Sequence, residues 1–143
     1  MKRYFPPILM LFGMFVFASL ASAQHLTSAK LYFKQMQFEK AEASALKAAE
    51  KDPDDAEAWF VLGKARYELK KYPTMIEAFD KAAVLDPEEY KEEIDKYRLK
   101  VWADCYNAGI KYYNMGRTDT SSYFQTAIES FRSAILAEPE STR

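Results

Sequence analysis

The chain has 143 residues, 20 of them Lys or Arg and 21 Asp or Glu, with 49% hydrophobic and 15% aromatic residues but only 4 Gly and 6 Pro. That length allows one modest domain, the near-balance of charge gives no polybasic footprint for nucleic acid, and the apolar content is too high for a disordered chain. One Cys (Cys105) and one His (His25) exclude a zinc-finger spacing, a Cys-x-x-Cys redox pair and an internal disulfide.

Lys2 and Arg3 precede an apolar run from Ile8 to Ala18, no formal charge recurs until Lys30, and Ala21-Ser22-Ala23 supplies the small residues of a signal-peptidase site. The run is shorter than the roughly 20 apolar residues of a membrane span and starts beside Pro6 and Pro7. Residues 1–23 are therefore expected to be a cleavable secretory signal; an uncleaved anchor helix is the alternative. The remainder, 24–143, carries 18 basic and 21 acidic side chains, a net charge of −3. No Cys stands at the new N-terminus to take a lipid, so no stable membrane insertion is expected after cleavage, and the expected location is periplasmic or secreted. Export to an oxidising compartment fits the scarcity of Cys.

From Gln24 onward the chain repeats itself. Ala48-Ala49-Glu50-Lys51-Asp52-Pro53, Ala82-Ala83-Val84-Leu85-Asp86-Pro87 and Ala134-Ile135-Leu136-Ala137-Glu138-Pro139 share one frame, in which small and apolar residues lead to an acid and a Pro. Pro53 and Pro87 are one period apart, a period of about 34 residues, and Pro139 follows after one such period and half of another. The units are about 24–55, 56–89 and 90–140. In the second, Trp59, Leu62, Gly63, Phe79, Ala82 and Pro87 resemble the W-x-x-L-G-x-x-Y … A-x-x-x-F … P pattern of the tetratricopeptide repeat family, with Arg66 in place of its Tyr and Met75 in place of its small residue. In the first, Ala29, Tyr32, Ala41, Ala48 and Pro53 fall on equivalent places, while His25 and Ser28 replace the Trp and Leu. The resemblance implies an exported bacterial member of that family, all-α, folded as a right-handed α-solenoid of about three helix-turn-helix repeats. Gly63, Ala29, Ala41, Ala48 and Ala82 let paired helices approach, and Trp59, Leu62 and Phe79 fill the space between. A helix pair alone leaves apolar faces bare, and stacked neighbours bury them.

Local signals fit this frame. Asp54 with Glu57, Asp86 with Glu89 and Ser122 with Gln125 have capping-box spacing, and Pro87 suits a first helical position. Turns are expected at Gln35-Met36-Gln37, Lys70-Lys71-Tyr72-Pro73 and Gly116-Arg117-Thr118-Asp119-Thr120.

The third unit is longer. Gly109 and Tyr112 fall on the pattern, so the extra length divides between a larger part before the helix pair and a smaller part in its turn. A first helix from Pro87 to about Met115 is expected, because Tyr90, Ile94, Tyr97, Val101, Cys105, Ala108 and Tyr112 recur at spacings of three and four. Leu99, Trp102, Tyr106 and Tyr113 add a second stripe, so this helix is expected to be covered on two sides, or on one side and by a ligand. Glu88 to Lys96 read as a solvated face, with Glu92 and Lys96 placed for an i,i+4 pair.

The family binds partners on the concave surface formed by the first helices of successive repeats. The resemblance carries that role onto Lys30, Phe33 and Lys34 in the first unit, Glu57, Phe60, Lys64 and Tyr67 in the second, and Tyr106, Ile110, Tyr113 and Asn114 in the third. Aromatic residues beside these lysines suit an extended peptide with apolar anchors and an acidic group; packing against neighbouring helices is the alternative for each. The two-carboxylate clamp of chaperone-tail binders needs paired Asn, which the first two units lack. His25 is expected in solvent near the new N-terminus, Cys105 as a structural thiol, and Glu88-Glu89 and Glu92-Glu93 as helix-start charges. Neither a catalytic group, a metal site nor a cofactor loop is expected.

The last helix, about Tyr123 to Ala137, sets Phe124, Ile128, Phe131 and Ile135 on one side. Its open face is expected to meet another chain, a second copy or further repeats; Phe124, Ile128 and Ile135 are the candidate assembly residues. The expected function is a non-enzymatic adaptor holding a protein or peptide in its concave groove. The alternatives are a glycan-binding or substrate-delivery subunit of an envelope complex, stacking sugars on Phe60, Tyr67, Tyr106 and Tyr113, and a structural assembly subunit.

Overall fold

The structure, a computed structural model, describes residues 22–118 and 122–138. The expected signal segment lies outside the described residues except for Ser22 and Ala23, which are helical. Ser22 is buried and donates from its hydroxyl to the Ala48 carbonyl at 3.1 Å. Six helices follow in order: α1 (22–34), α2 (Phe38–Lys51), α3 (Ala56–Glu68), α4 (Tyr72–Leu85), α5 (Pro87–Thr118) and α6 (Ser122–Ala137), and no strand occurs among the described residues. The fold is the all-α helical repeat that the spacing of the prolines implies.

Repetition extends to the backbone. Met36 and Lys70, one period apart, both take positive φ, 59° and 56°, after α1 and α3. The amides of Gln37 and Lys71 then reach back to the carbonyls of Tyr32 and Arg66, each at 2.9 Å, which ends both helices in the same left-handed cap. Asp52 and Asp86 repeat likewise, their amides closing α2 and α4 on Ala48 and Ala82. Asp86 also caps α5 by accepting from the Glu89 amide at 3.1 Å, with Pro87 first in the helix as expected.

The cap of α3 is shifted by one position from the expected one. Asp55, not Asp54, accepts from the Ala58 amide, at 3.1 Å. Because an N-cap carboxylate satisfies one orphan amide, Asp55→Ala is expected to lower stability by about 1 kcal/mol and Asp54→Ala by almost nothing, read as urea midpoints. Ser122 likewise is the first residue of α6, and the Gln125 side-chain amide serves Glu129 at 3.2 Å, so the expected third capping box is not the arrangement formed.

Two cores hold the array. In the first, Ala45, Ala48 and Ala49 of α2 meet Leu26 and Ala29 of α1 and Ala58, Val61, Leu62 and Ala78 of α3 and α4. Alanines at spacings of three and four let these backbones approach closely. In the second, Phe60 of α3 and Met75, Ile76 and Phe79 of α4 pack with Ile94, Val101 and Cys105 of α5 and Ala134 and Ala137 of α6. Arg66, standing where the family pattern has Tyr, ties three helices together: it pairs with Glu42 of α2 at 3.3 Å and donates to the Thr74 carbonyl of α4 at 2.8 Å. Lys71 reaches the same Glu42 carboxylate at 2.6 Å.

Helix α5 is 32 residues long, about 48 Å at 1.5 Å per residue. It passes the expected end at Met115, so Gly116 is helical rather than part of a turn. A Cβ at Gly116 would lie 2.9 Å from the Phe124 ring of α6, so the glycine serves close packing. Gly109 stands against Phe131 in the way Gly63 stands against Phe79. The first half of α5 packs on α3 and α4, and α6 folds back on its second half.

Candidate partner-binding cleft

The first helices of the three repeats, α1, α3 and α5, line a cleft of about 310 Å³. Lys30, Phe33 and Lys34 come from α1, and Glu57, Phe60, Val61 and Lys64 from α3. The first turns of α5 supply Glu89, Tyr90 and Glu93. The helix periodicity explains the set: 30, 33 and 34 share one face, as do 57, 60, 61 and 64.

Its floor is aromatic. Phe60 is only 7% exposed and packs on Tyr90, ring centroids 4.7 Å apart, and on Phe79 at 5.7 Å. The Lys64 ammonium lies 5.2 Å from the Phe60 centroid and 5.4 Å from that of Phe33, with Glu93 at 3.7 Å. A cation over two ring faces gains from both quadrupoles, and the carboxylate holds it there. Lys30 is paired with Glu57.

These pairings offset the lysines that the sequence sets beside the aromatic residues. Three lysines face three glutamates, and two of the lysines already have carboxylate partners within the cleft. Lys34 and the Glu89 carboxylate form no ion pair among the described residues. The cleft is charge-balanced, and of its charges these two, a cation on the α1 side and an anion on the α5 side, are the ones left to meet a ligand.

The other expected groove residues lie elsewhere. Tyr67 packs edge-on against Tyr97, centroids 4.9 Å apart, outside the cleft lining, and with Phe60 it faces α5. Burial lifts the phenol of Tyr67 above the ordinary tyrosine range, with Asp104 and Glu68 adding to it. Tyr106, Ile110 and Tyr113 are exposed on another part of α5, as is Asn114. Tyr106 stacks on Trp102 and touches Phe131, and Tyr113 touches Phe124. The reason is register: Phe60 meets Tyr90 at the cleft floor, whereas Tyr67, two turns on, meets Tyr97 beyond it, and Tyr106 and Tyr113 repeat these two positions further along α5. Of the candidate assembly residues, Phe124 is half-buried against Gly116, while Ile128 and Ile135 are exposed.

Sequence reading missed Val61, Glu89, Tyr90 and Glu93. The signal for the last three was present in Pro53 and Pro87, whose one-period spacing sets the start of α5 level with the start of α3. Gly109 and Tyr112 mark the register of the α5–α6 pair instead, several turns further along α5.

Cys105 is buried, and desolvation, with Asp104 beside it, pushes its thiol up, away from the reactive thiolate. His25 is half-buried in α1 rather than free in solvent. Among the described residues no cluster of three His, Cys, Asp or Glu side chains is arranged to hold a metal, and no helix is long and apolar enough to cross a membrane.

Residues 26–90, which span α1 to the first turn of α5, match the family model described as tetratricopeptide repeat. None of the curated proteins matches the chain.

Proposed function

We propose that this chain, whose residues 26–90 match the tetratricopeptide repeat family, a family whose repeats generally mediate protein–protein interaction, is an adaptor holding an extended peptide segment of a partner in the α1–α3–α5 cleft. The observation that carries this reading is the cleft itself, in which an aromatic floor of Phe33, Phe60 and Tyr90 is bordered by Lys34 on one side and Glu89 on the other. An extended segment with an apolar side chain between an acidic and a basic one meets all three features. An acidic peptide alone does not, since Lys30 and Lys64 are already neutralised within the cleft. The signal-like character of residues 1–23 supports a place for the adaptor in the periplasm or outside the cell.

Affinity capture from an envelope extract, read by mass spectrometry, tests the proposal. The triple variant Phe33→Ala, Lys34→Glu, Glu89→Lys changes one half-buried and two exposed side chains, so its circular dichroism should match the parent. A client retained by the parent and reduced at least tenfold by the variant is the expected result, since loss of one anchor and two charge contacts exceeds about 1.4 kcal/mol. Equal capture by both forms would show that the cleft is not the binding site.

A further inference from the structure

The α5–α6 hairpin repeats the α3–α4 pair, glycine against phenylalanine, at Gly63 with Phe79 and at Gly109 with Phe131. On that alignment Tyr106 and Tyr113 correspond to Phe60 and Tyr67. The latter two are covered by Tyr90 and Tyr97 of α5, whereas Tyr106 and Tyr113 are 43% and 50% exposed. A face that receives a helix in the second pair is bare in the third.

Along α5 this face is a stripe of Leu99, Trp102, Tyr106, Ile110 and Tyr113 at spacings of three and four. Ile128 and Ile135 of α6, both exposed, widen it, and the contacts of Tyr106 with Phe131 and of Tyr113 with Phe124 join the two helices. The stripe is symmetric about Tyr106. Trp102 and Ile110 stand four positions to either side, and Leu99 and Tyr113 seven. Eleven to either side stand Asp95 and Arg117, of opposite charge, neither in an ion pair among the described residues.

From this pattern we infer that the α5–α6 face is a homodimer interface, in which two copies pack α5 antiparallel across a two-fold axis at Tyr106. That arrangement sets Leu99 against Tyr113, Trp102 against Ile110 and Asp95 against Arg117, each contact occurring twice. Parallel packing in register sets like charges together at both ends and is disfavoured. Head-to-tail stacking fails at the other end of the molecule. One period before Ala58, Trp59, Val61 and Leu62, through which α3 packs onto the first repeat, stand Gln24, His25, Thr27 and Ser28, which are too polar to fill the stripe. The face spans about 33 Å of α5 with about 24 Å of α6 beside it, each about one helix diameter wide, roughly 600 Å² per copy, so the pair buries about 1,200 Å², at the lower bound of stable interfaces.

Sedimentation equilibrium on the purified protein decides the matter. The parent is expected to form dimers at about ten micromolar, and Tyr106→Glu, which sets two carboxylates on the axis, to be monomeric over the same range. Asp95→Arg and Arg117→Asp each oppose like charges twice and are expected to raise the dissociation constant about tenfold, while the double exchange restores it to within about threefold of the parent. Both positions are at least partly exposed, so circular dichroism should show unchanged helix content. A parent that stays monomeric to about 200 micromolar overturns the proposal and leaves the face to a helix of another protein. Association indifferent to either single exchange, or not rescued by the double one, overturns the antiparallel geometry.

Discussion

Phe79→Ala is expected to destabilise the protein by about 3–5 kcal/mol, a large share of the roughly 5–15 kcal/mol that holds a domain of this size. The ring has no exposed surface and lies where three helices meet. Below it is Gly63 of α3, whose missing side chain makes room for it; beside it are Phe60 at 5.7 Å and Tyr97 of α5 at 5.4 Å between centroids. Removing the ring takes its apolar area out of the core and leaves a cavity walled by two other aromatics, which are themselves held by Tyr90 and Tyr67 and have little freedom to collapse into it. Urea denaturation followed by circular dichroism checks the value. A loss below about 1.5 kcal/mol would mean that the neighbouring rings close the gap, and that α5 is less firmly seated on α3 and α4 than its contacts indicate.

Sequence pattern and fold part at two residues of α5. Gly109 is read correctly as the glycine of a helix pair, and the structure sets Phe131 against it. Counting one period from Gly63, however, arrives at Tyr97. A tyrosine there blocks the close approach that a second helix needs, so the first half of α5 takes the stacking position without a partner helix. The pairing is postponed from Tyr97 to Gly109, about 18 Å further along the helix, where the missing side chain allows it. Both readings of the third repeat hold, for different halves of one helix. Periodicity shows that Phe60 and Tyr67 share a face of α3, and Tyr106 and Tyr113 a face of α5; it does not show whether either face looks into the groove or toward the next repeat, because groove and stacking positions differ by a fraction of a turn. Ion pairs are still less legible. Nothing in the local sequence around Lys30 or Lys64 indicates that Glu57 and Glu93, each most of a period away on the next first helix, neutralise them.

The glycines supply the second large effect. In an exposed helix, Gly→Ala stabilises by about 1 kcal/mol, because alanine restricts the unfolded chain and favours helix. At Gly63 the new Cβ enters the Phe79 ring well inside van der Waals contact, and that ring is fully buried between Phe60 and Tyr97. Overpacking therefore exceeds the helix gain, and Gly63→Ala is expected to destabilise by about 1–3 kcal/mol net. At Gly109 the same Cβ meets Phe131, a half-buried ring that touches Tyr106 on the bare face and is therefore less confined than Phe79. Gly109→Ala is accordingly expected to lie within about 0.5 kcal/mol of the parent in the monomer. Urea midpoints of the two variants, compared at one low protein concentration so that self-association does not enter, give the ranking. If both cost the same, the α5–α6 pair is as tightly locked as α3–α4, and the exposure of Tyr106 and Ile110 does not translate into looser packing behind them. If only Gly63→Ala is costly, the second repeat is the rigid part of the fold and the third a hairpin that still has room to repack when its outer face is covered.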